Sequence, residues 1–145
     1  MSYEMFVNRY YGKSINSHPH GGTPDHILNR LKEEYGISDF DPCPNNPSFD
    51  GLSIEWPKMD PIFVNPPYSR GEIKKWVKKC FDEFQSGSKI IMLIPSYTDT
   101  IYFHEYIYPY AKLEFIKGRL KFKGYNSKAS FPSMLVYFGV EKNES

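Results

Sequence analysis

Between residues 61 and 94 the hydrophobic period of the sequence changes twice, and this constrains the fold more than any other feature. Ile62-Phe63-Val64 is a short apolar run bounded by Pro61 and Pro66. A run of that length without polar alternation reads as a strand buried on both faces. Ile73, Trp76, Val77, Cys80, Phe81 and Phe84 then recur at the spacing of an amphipathic helix, and Gly87 follows as a stop. Residues 89–94 return to a continuous apolar run, the mark of a central strand. Strand, helix and strand in this order argue for an α/β domain with a largely parallel sheet.

The flanks extend the pattern. Thr23 suits a helix N-cap and Pro24 the first helical position. Ile27, Leu28, Leu31 and Tyr35 share one face, and Gly36 is a stop. Residues 37–41 read as a short strand and 41–50 as a loop. A shorter helix is expected over about 100–107. Two more strands are expected at 112–116 and 134–140, with a basic loop or hairpin at 117–133 between them. Residues 1–22 have no clear period and read as an irregular arm ahead of one domain at 23–145.

Composition narrows the functional classes. With 145 residues, 40% hydrophobic content and 18 Lys+Arg against 17 Asp+Glu, the chain is neither a disordered tail nor a uniformly basic coat protein. No apolar run reaches the length of a membrane span, and residues 1–4 do not open a secretory signal. The two cysteines, Cys43 and Cys80, make no disulfide framework, so a reducing cytoplasm is expected. Together with His18 and His20 they match no zinc spacing, and no metal is expected.

The near-neutral total hides two concentrated basic segments. Residues 69–80 carry five bases against one acid, and residues 110–128 carry six against one. In the second segment Arg119, Lys121 and Lys123 alternate with Leu120 and Phe122, which gives a basic face and a buried face. Such a chain can hold a polyanion despite its net charge of +1.

Chemistry concentrates in Asn65-Pro66-Pro67-Tyr68, directly after the first buried strand. Ligands of open α/β sheets bind beyond the carboxyl ends of strands. The asparagine oxygen is an acceptor, and two prolines in succession stiffen the backbone while removing its N–H donors. The Pro66 carbonyl can then stand beside the Asn65 oxygen. Two adjacent acceptors suit an amino group with two N–H bonds, and Tyr68 offers a flat face to a planar ring. An amino-bearing ring taken out of a nucleic-acid stack meets both requirements. Pro-Pro-Tyr can also be a turn, or a linear ligand for a proline-binding module.

These residues belong to a longer series, in order: Thr23-Pro24; Asp41-Pro42-Cys43-Pro44; Asp50-Gly51-Leu52 with Trp56; Phe63 to Arg70; Ile94 to Thr100 with Phe103-His104; Phe115 to Phe122; and Phe131-Pro132-Ser133. The series resembles the phage-type DNA N6-adenine methyltransferase family, whose members depend on S-adenosylmethionine. The resemblance implies a trimmed Rossmann-like methyltransferase fold, mostly parallel, with an antiparallel C-terminal strand. It implies DNA as partner and, for a phage-encoded chain, the cytoplasm of the host.

On this resemblance Asn65, Pro66, Pro67 and Tyr68 are catalytic. Thr23 and Pro24 close over the methionine end of the cofactor, Asp41, Pro42 and Cys43 open the cofactor motif, and Asp50 contacts the cofactor's adenine amino group. Asp41 and Asp50 also suit ordinary turns. Arg70, Lys74, Arg119, Lys121 and Lys123 are the candidate DNA contacts. In place of a glycine-rich cofactor loop stands Asn45-Asn46-Pro47-Ser48, and the interval from Asp41 to Asn65 is too short for two further crossovers. The sheet is therefore expected to be trimmed on that side. Other readings of the same motif are a non-catalytic nucleic-acid-binding module, and methylation of RNA adenine, of cytosine N4 or of a protein glutamine.

Overall fold

A computed structural model describes residues 22–44, 48–69 and 71–143. The arm expected at 1–22 lies outside them apart from Gly22, as do Arg70 and residues 45–47. The elements are α1 (Asp25–Tyr35), β1 (Ile62–Val64), α2 (Ile73–Gln85), β2 (Ile90–Pro95), a π-helical turn (Phe103–Ile107), β3 (Lys112–Phe115) and β4 (Ser133–Phe138). One sheet runs β1-β2-β4-β3. β1 and β2 pair in parallel, with Phe63 opposite Ile91. β4 is antiparallel to both β2 and β3.

The sheet is thus mixed: three strands share a direction and β4 is inserted against them. The C-terminal strand is antiparallel as expected. The ladders, however, are one parallel and two antiparallel, where the sequence pattern suggested a largely parallel sheet. Apolar runs report burial, not direction, and a buried antiparallel strand such as β4 reads the same as a parallel one.

Strand parity divides the core into two layers. Ile62, Val64, Ile90, Met92 and Val136 face α2 through Trp76, Val77 and Cys80. Phe63, Ile91, Leu93, Leu135 and Tyr137 face α1 through Ile27, Leu31 and Tyr35. Continuous burial of β2 follows from its central position. Gly36 closes α1 at φ +66, its N–H donating to the Lys32 carbonyl, as the stop signal required. Across the sheet edge the Arg30 guanidinium grips Glu114 of β3 with two hydrogen bonds of 2.7 and 2.6 Å, and the Tyr137 hydroxyl donates to the same carboxylate. This holds Glu114 below the usual carboxylate range, chiefly through the Arg30 bonds.

Two expectations are corrected and one is refined. Residues 37–41 form no strand; one bond, from the Ser38 N–H to the Pro61 carbonyl (2.7 Å), lays them beside β1. The helix expected at about 100–107 is present over 101–107, with its last five residues, Phe103–Ile107, π-helical. Residues 117–132 hold no ladder and so no hairpin, although the alternation is real: Leu120 and Phe122 are buried while Arg119, Lys121 and Lys123 are exposed. Among the described residues β1 is an edge strand, consistent with a sheet trimmed before Asn65.

Candidate active site

Because β1 and β2 are parallel, their carboxyl ends lie at one edge of the sheet. Pro95 at the end of β2 faces Ser133 at the start of β4, and Phe115 at the end of β3 faces Met134. Residues 65–68, the turn after β2 and the loop 116–132 therefore all leave from the same edge.

Asn65 follows Val64, so the alternation of β1 turns it to the Phe63 side, the α1 layer. It is 4% exposed. Its Nδ2 donates to the Thr23 hydroxyl at 2.8 Å. Its Oδ1 accepts from the Tyr68 hydroxyl, which also lies 2.9 Å from the Leu93 carbonyl. Tyr68 has one proton for these two acceptors. Pro66 and Pro67 are buried and Tyr68 is half-buried, which argues against a recruitment ligand that must be free to enter another module. Burial raises the Tyr68 pKa well above its ordinary value, with the nearby Cys43 and Tyr125 adding to it. The phenol stays protonated at neutral pH and remains a donor.

The Tyr68 ring meets Phe122 and Phe131 edge-on, with centroids 6.1 and 5.7 Å away. Those two phenylalanines belong to the basic loop, so the loop packs directly against the catalytic-type turn. The Lys123 N–H donates to the Gly22 carbonyl at 2.7 Å and fastens the loop beside Thr23. Gly22 is required there: a Cβ would lie 2.9 Å from the Lys123 carbonyl oxygen.

Thr23 was read as an N-cap. In the structure Pro24 holds the cap position, and the Thr23 hydroxyl accepts from Asn65. Pro24 has its φ at −60 and starts the helix through its carbonyl, which accepts from Ile27 and Leu28.

The two acidic turns assigned to a cofactor come together. A Cβ on Gly51 would overlap the Pro42 carbonyl at 1.9 Å, so the 50–53 turn sits flat on the 41–44 turn. Trp56 locks this through a 2.8 Å bond from its Nε1 to the Gly51 carbonyl. Asp41 accepts from the Cys43 N–H at 2.8 Å. Its carboxyl is solvent-accessible yet crowded by protein, and that desolvation raises its pKa against the pull of the Cys43 bond. Asp50 is exposed and uses both oxygens on its own turn, toward the Leu52 N–H and the Ser53 hydroxyl. Cys43 is buried beside this turn, and Pro42 is buried with it.

The basic residues divide. On α2, Lys75 pairs with Glu72, Lys78 with Asp82 and Lys79 with Glu83. Lys74 stands on the same helix without an ion pair among the described residues. In the loop, Lys123 pairs with Asp25, whereas Arg119 and Lys121 make no ion pair with any described residue. Sequence reasoning missed Glu72, which is 2% exposed, with one carboxylate oxygen on Lys75 and the other without a partner among the described residues. It also missed Glu83, which holds Lys79 and the Trp56 N–H. The i+3 and i+4 spacing of these acids from the lysines was the available signal. His104 hydrogen-bonds the Thr98 carbonyl at 2.8 Å.

Fold and site together define a small α/β domain that presents a buried asparagine amide and a tyrosine at the carboxyl edge of its sheet. The family model of the DNA N-6-adenine-methyltransferase (Dam) matches residues 20–134, and the chain belongs to that family. It is similar to a DNA N-6-adenine-methyltransferase of Escherichia phage T1, at 29% identity over 93 residues, which is 57% of this chain and 38% of that protein. The match thus spans well under half of the relative's length. No solved structure matches the chain.

Proposed function

We propose that this chain transfers a methyl group from S-adenosylmethionine to the N6 amino group of adenine in DNA. Family membership supports the reaction class. The observation that carries the mechanism is the Asn65 amide, buried at the sheet edge with its oxygen held by a hydroxyl that has a second acceptor waiting. An arriving amino group takes Oδ1, and the Tyr68 hydroxyl, still protonated, turns to donate to the Leu93 carbonyl alone. No polar group is orphaned by the exchange, so occupying the site is inexpensive.

With the adenine turned out of its duplex, Asn65 Oδ1 and the Pro66 carbonyl accept the two N6–H bonds. Fixed acceptors on those hydrogens draw electron density onto N6 and keep its lone pair from the ring. Tyr68 covers the base. Positioning and fixed dipoles do most of the work, and no separate base is invoked.

The donors and acceptors at the acidic turns allow a test of fit for the cofactor. Asp41 commits one oxygen to Cys43 and is solvent-accessible, so it can accept from an ammonium or amino group. Asp50 already serves its own turn with both oxygens. We therefore assign the cofactor to Asp41, Pro42 and Cys43, with Asp50 and Pro24 beside them. When bound, S-adenosylmethionine supplies an electrophilic sulfonium methyl. Arg119 and Lys121 contact phosphate, with Lys74 as a lesser contributor. We read residues 23–145 as one trimmed Rossmann-like domain, with β4 as its inserted antiparallel strand, working in the cytoplasm of a host cell.

The test is transfer of a labelled methyl group to unmethylated duplex DNA, single-stranded DNA, RNA and a glutamine peptide, with products separated by chromatography. Label in N6-methyladenine of DNA is the expected result. Label confined to RNA, cytosine or peptide would replace the substrate, and cofactor binding without transfer to any polymer would replace the enzyme by a binding module.

A further inference from the structure

We propose that Thr23 is a positioning residue for methyl transfer: it holds the Asn65 amide by its nitrogen, so that the oxygen faces the target amino group. The proposal rests on the reading of Asn65 as the acceptor for that group. An asparagine amide has two ends of nearly equal size and opposite polarity. Rotated by half a turn, it would set N–H against N–H and the site would lose its acceptor. The Tyr68 hydroxyl fixes the rotation only until it yields Oδ1 to the arriving amino group, and β1 fixes only the backbone, so a hold on the nitrogen end is needed.

Thr23 is built for the task. Its Oγ1 accepts from Asn65 Nδ2 at 2.8 Å, and both residues are 4% exposed, so water does not compete for the bond. The residues on either side are anchored: Gly22 by the Lys123 N–H, and Pro24 by its fixed φ and the two helical N–H groups on its carbonyl. The bond also acts through the amide. Donation from nitrogen increases the negative charge on the carbonyl oxygen, which makes Oδ1 a stronger acceptor. Thr23 thereby links the first helix to a residue 42 positions later.

The experiment is steady-state methylation of duplex DNA by the wild-type chain and by Thr23→Val, Thr23→Ser, Thr23→Ala and Asn65→Ala, with thermal melts of each. Loss of one hydrogen bond to the acceptor should lower kcat of Thr23→Val roughly tenfold. KM for DNA and for S-adenosylmethionine should stay within about twofold. Thr23→Ser should recover most of kcat, because it restores the hydroxyl. Wild-type kcat in Thr23→Val, with Asn65→Ala inactive, would overturn the proposal while leaving the Asn65 reading intact. A raised KM for S-adenosylmethionine at unchanged kcat would also overturn it and assign Thr23 to the cofactor. Full activity in Asn65→Ala would overturn the reading beneath it. Should Thr23→Val melt early, Ser against Ala at equal stability decides: an active Ser with a slow Ala supports the proposal, and equal rates refute it.

Discussion

The two basic segments look alike in sequence and differ in the structure. On α2 the lysines face their own acids one turn away, and three of four are paired. In the loop 116–132 the spacing is that of an extended chain, which offers no intrasegment acid. Lys123 finds Asp25 across the molecule, and Arg119 and Lys121 keep their charges toward solvent. The loop also packs Phe122 and Phe131 against Tyr68, so its charges sit beside the turn of residues 65–68. A count of bases measures capacity for a polyanion; the period of the segment decides whether the charge is spent internally.

That comparison can be broken in order of expected effect. Replacing Arg119 and Lys121 together by Ala should weaken DNA binding by roughly thirtyfold and reduce the salt slope by about two, if each contacts one phosphate. A titration at several salt concentrations measures both. Replacing Lys79 by Met should leave DNA affinity alone yet destabilise the fold by about 1.5 kcal/mol in urea. It leaves the buried Glu83 with the Trp56 N–H but without its ion partner.

The Arg30–Glu114 grip supplies a third test, at the edge of the sheet that carries the loop. Glu114→Gln should cost about 1 kcal/mol at neutral pH, a figure already reduced for the partial exposure of the pair. Because the folded carboxyl titrates below its ordinary value, its contribution is complete above about pH 5. It fades as pH falls through the lowered folded value, so wild type and Glu114→Gln should converge in acid. Last, Lys78→Ala should change DNA affinity by less than about twofold, since its exposed partner is Asp82. A loss as large as that of the loop variant would erase the distinction.

Legibility in the sequence followed the range of the interactions. Ile62 to Val64, the Ile73 to Phe84 stripe and the run at Ile90 are local patterns, and each became the expected element. The alternation of Leu120 and Phe122 gave the buried face of the loop, but no ladder, because no partner strand lies beside it. Residues 37–41 have strand chemistry and gain one sheet bond where a strand needs several. Direction of pairing was invisible, since the antiparallel β4 is as apolar and as buried as β2, which pairs in parallel with β1. Asn65 and Tyr68 were legible as types in a strained-looking sequence of two prolines. Their contact with one another, with Leu93 and with Thr23 was not, because it depends on chain segments 25 and 42 residues away. Arg30 and Glu114, 84 residues apart, carry no sequence signature at all.

The account rests most on Asn65. Single-turnover transfer and DNA affinity should be measured on one preparation of Asn65→Ala beside the wild type. Loss of an acceptor fixed at the reacting nitrogen should slow transfer by at least about a hundredfold while the dissociation constant stays within about twofold. Transfer at the wild-type rate would contradict the assignment of the chemistry to this amide.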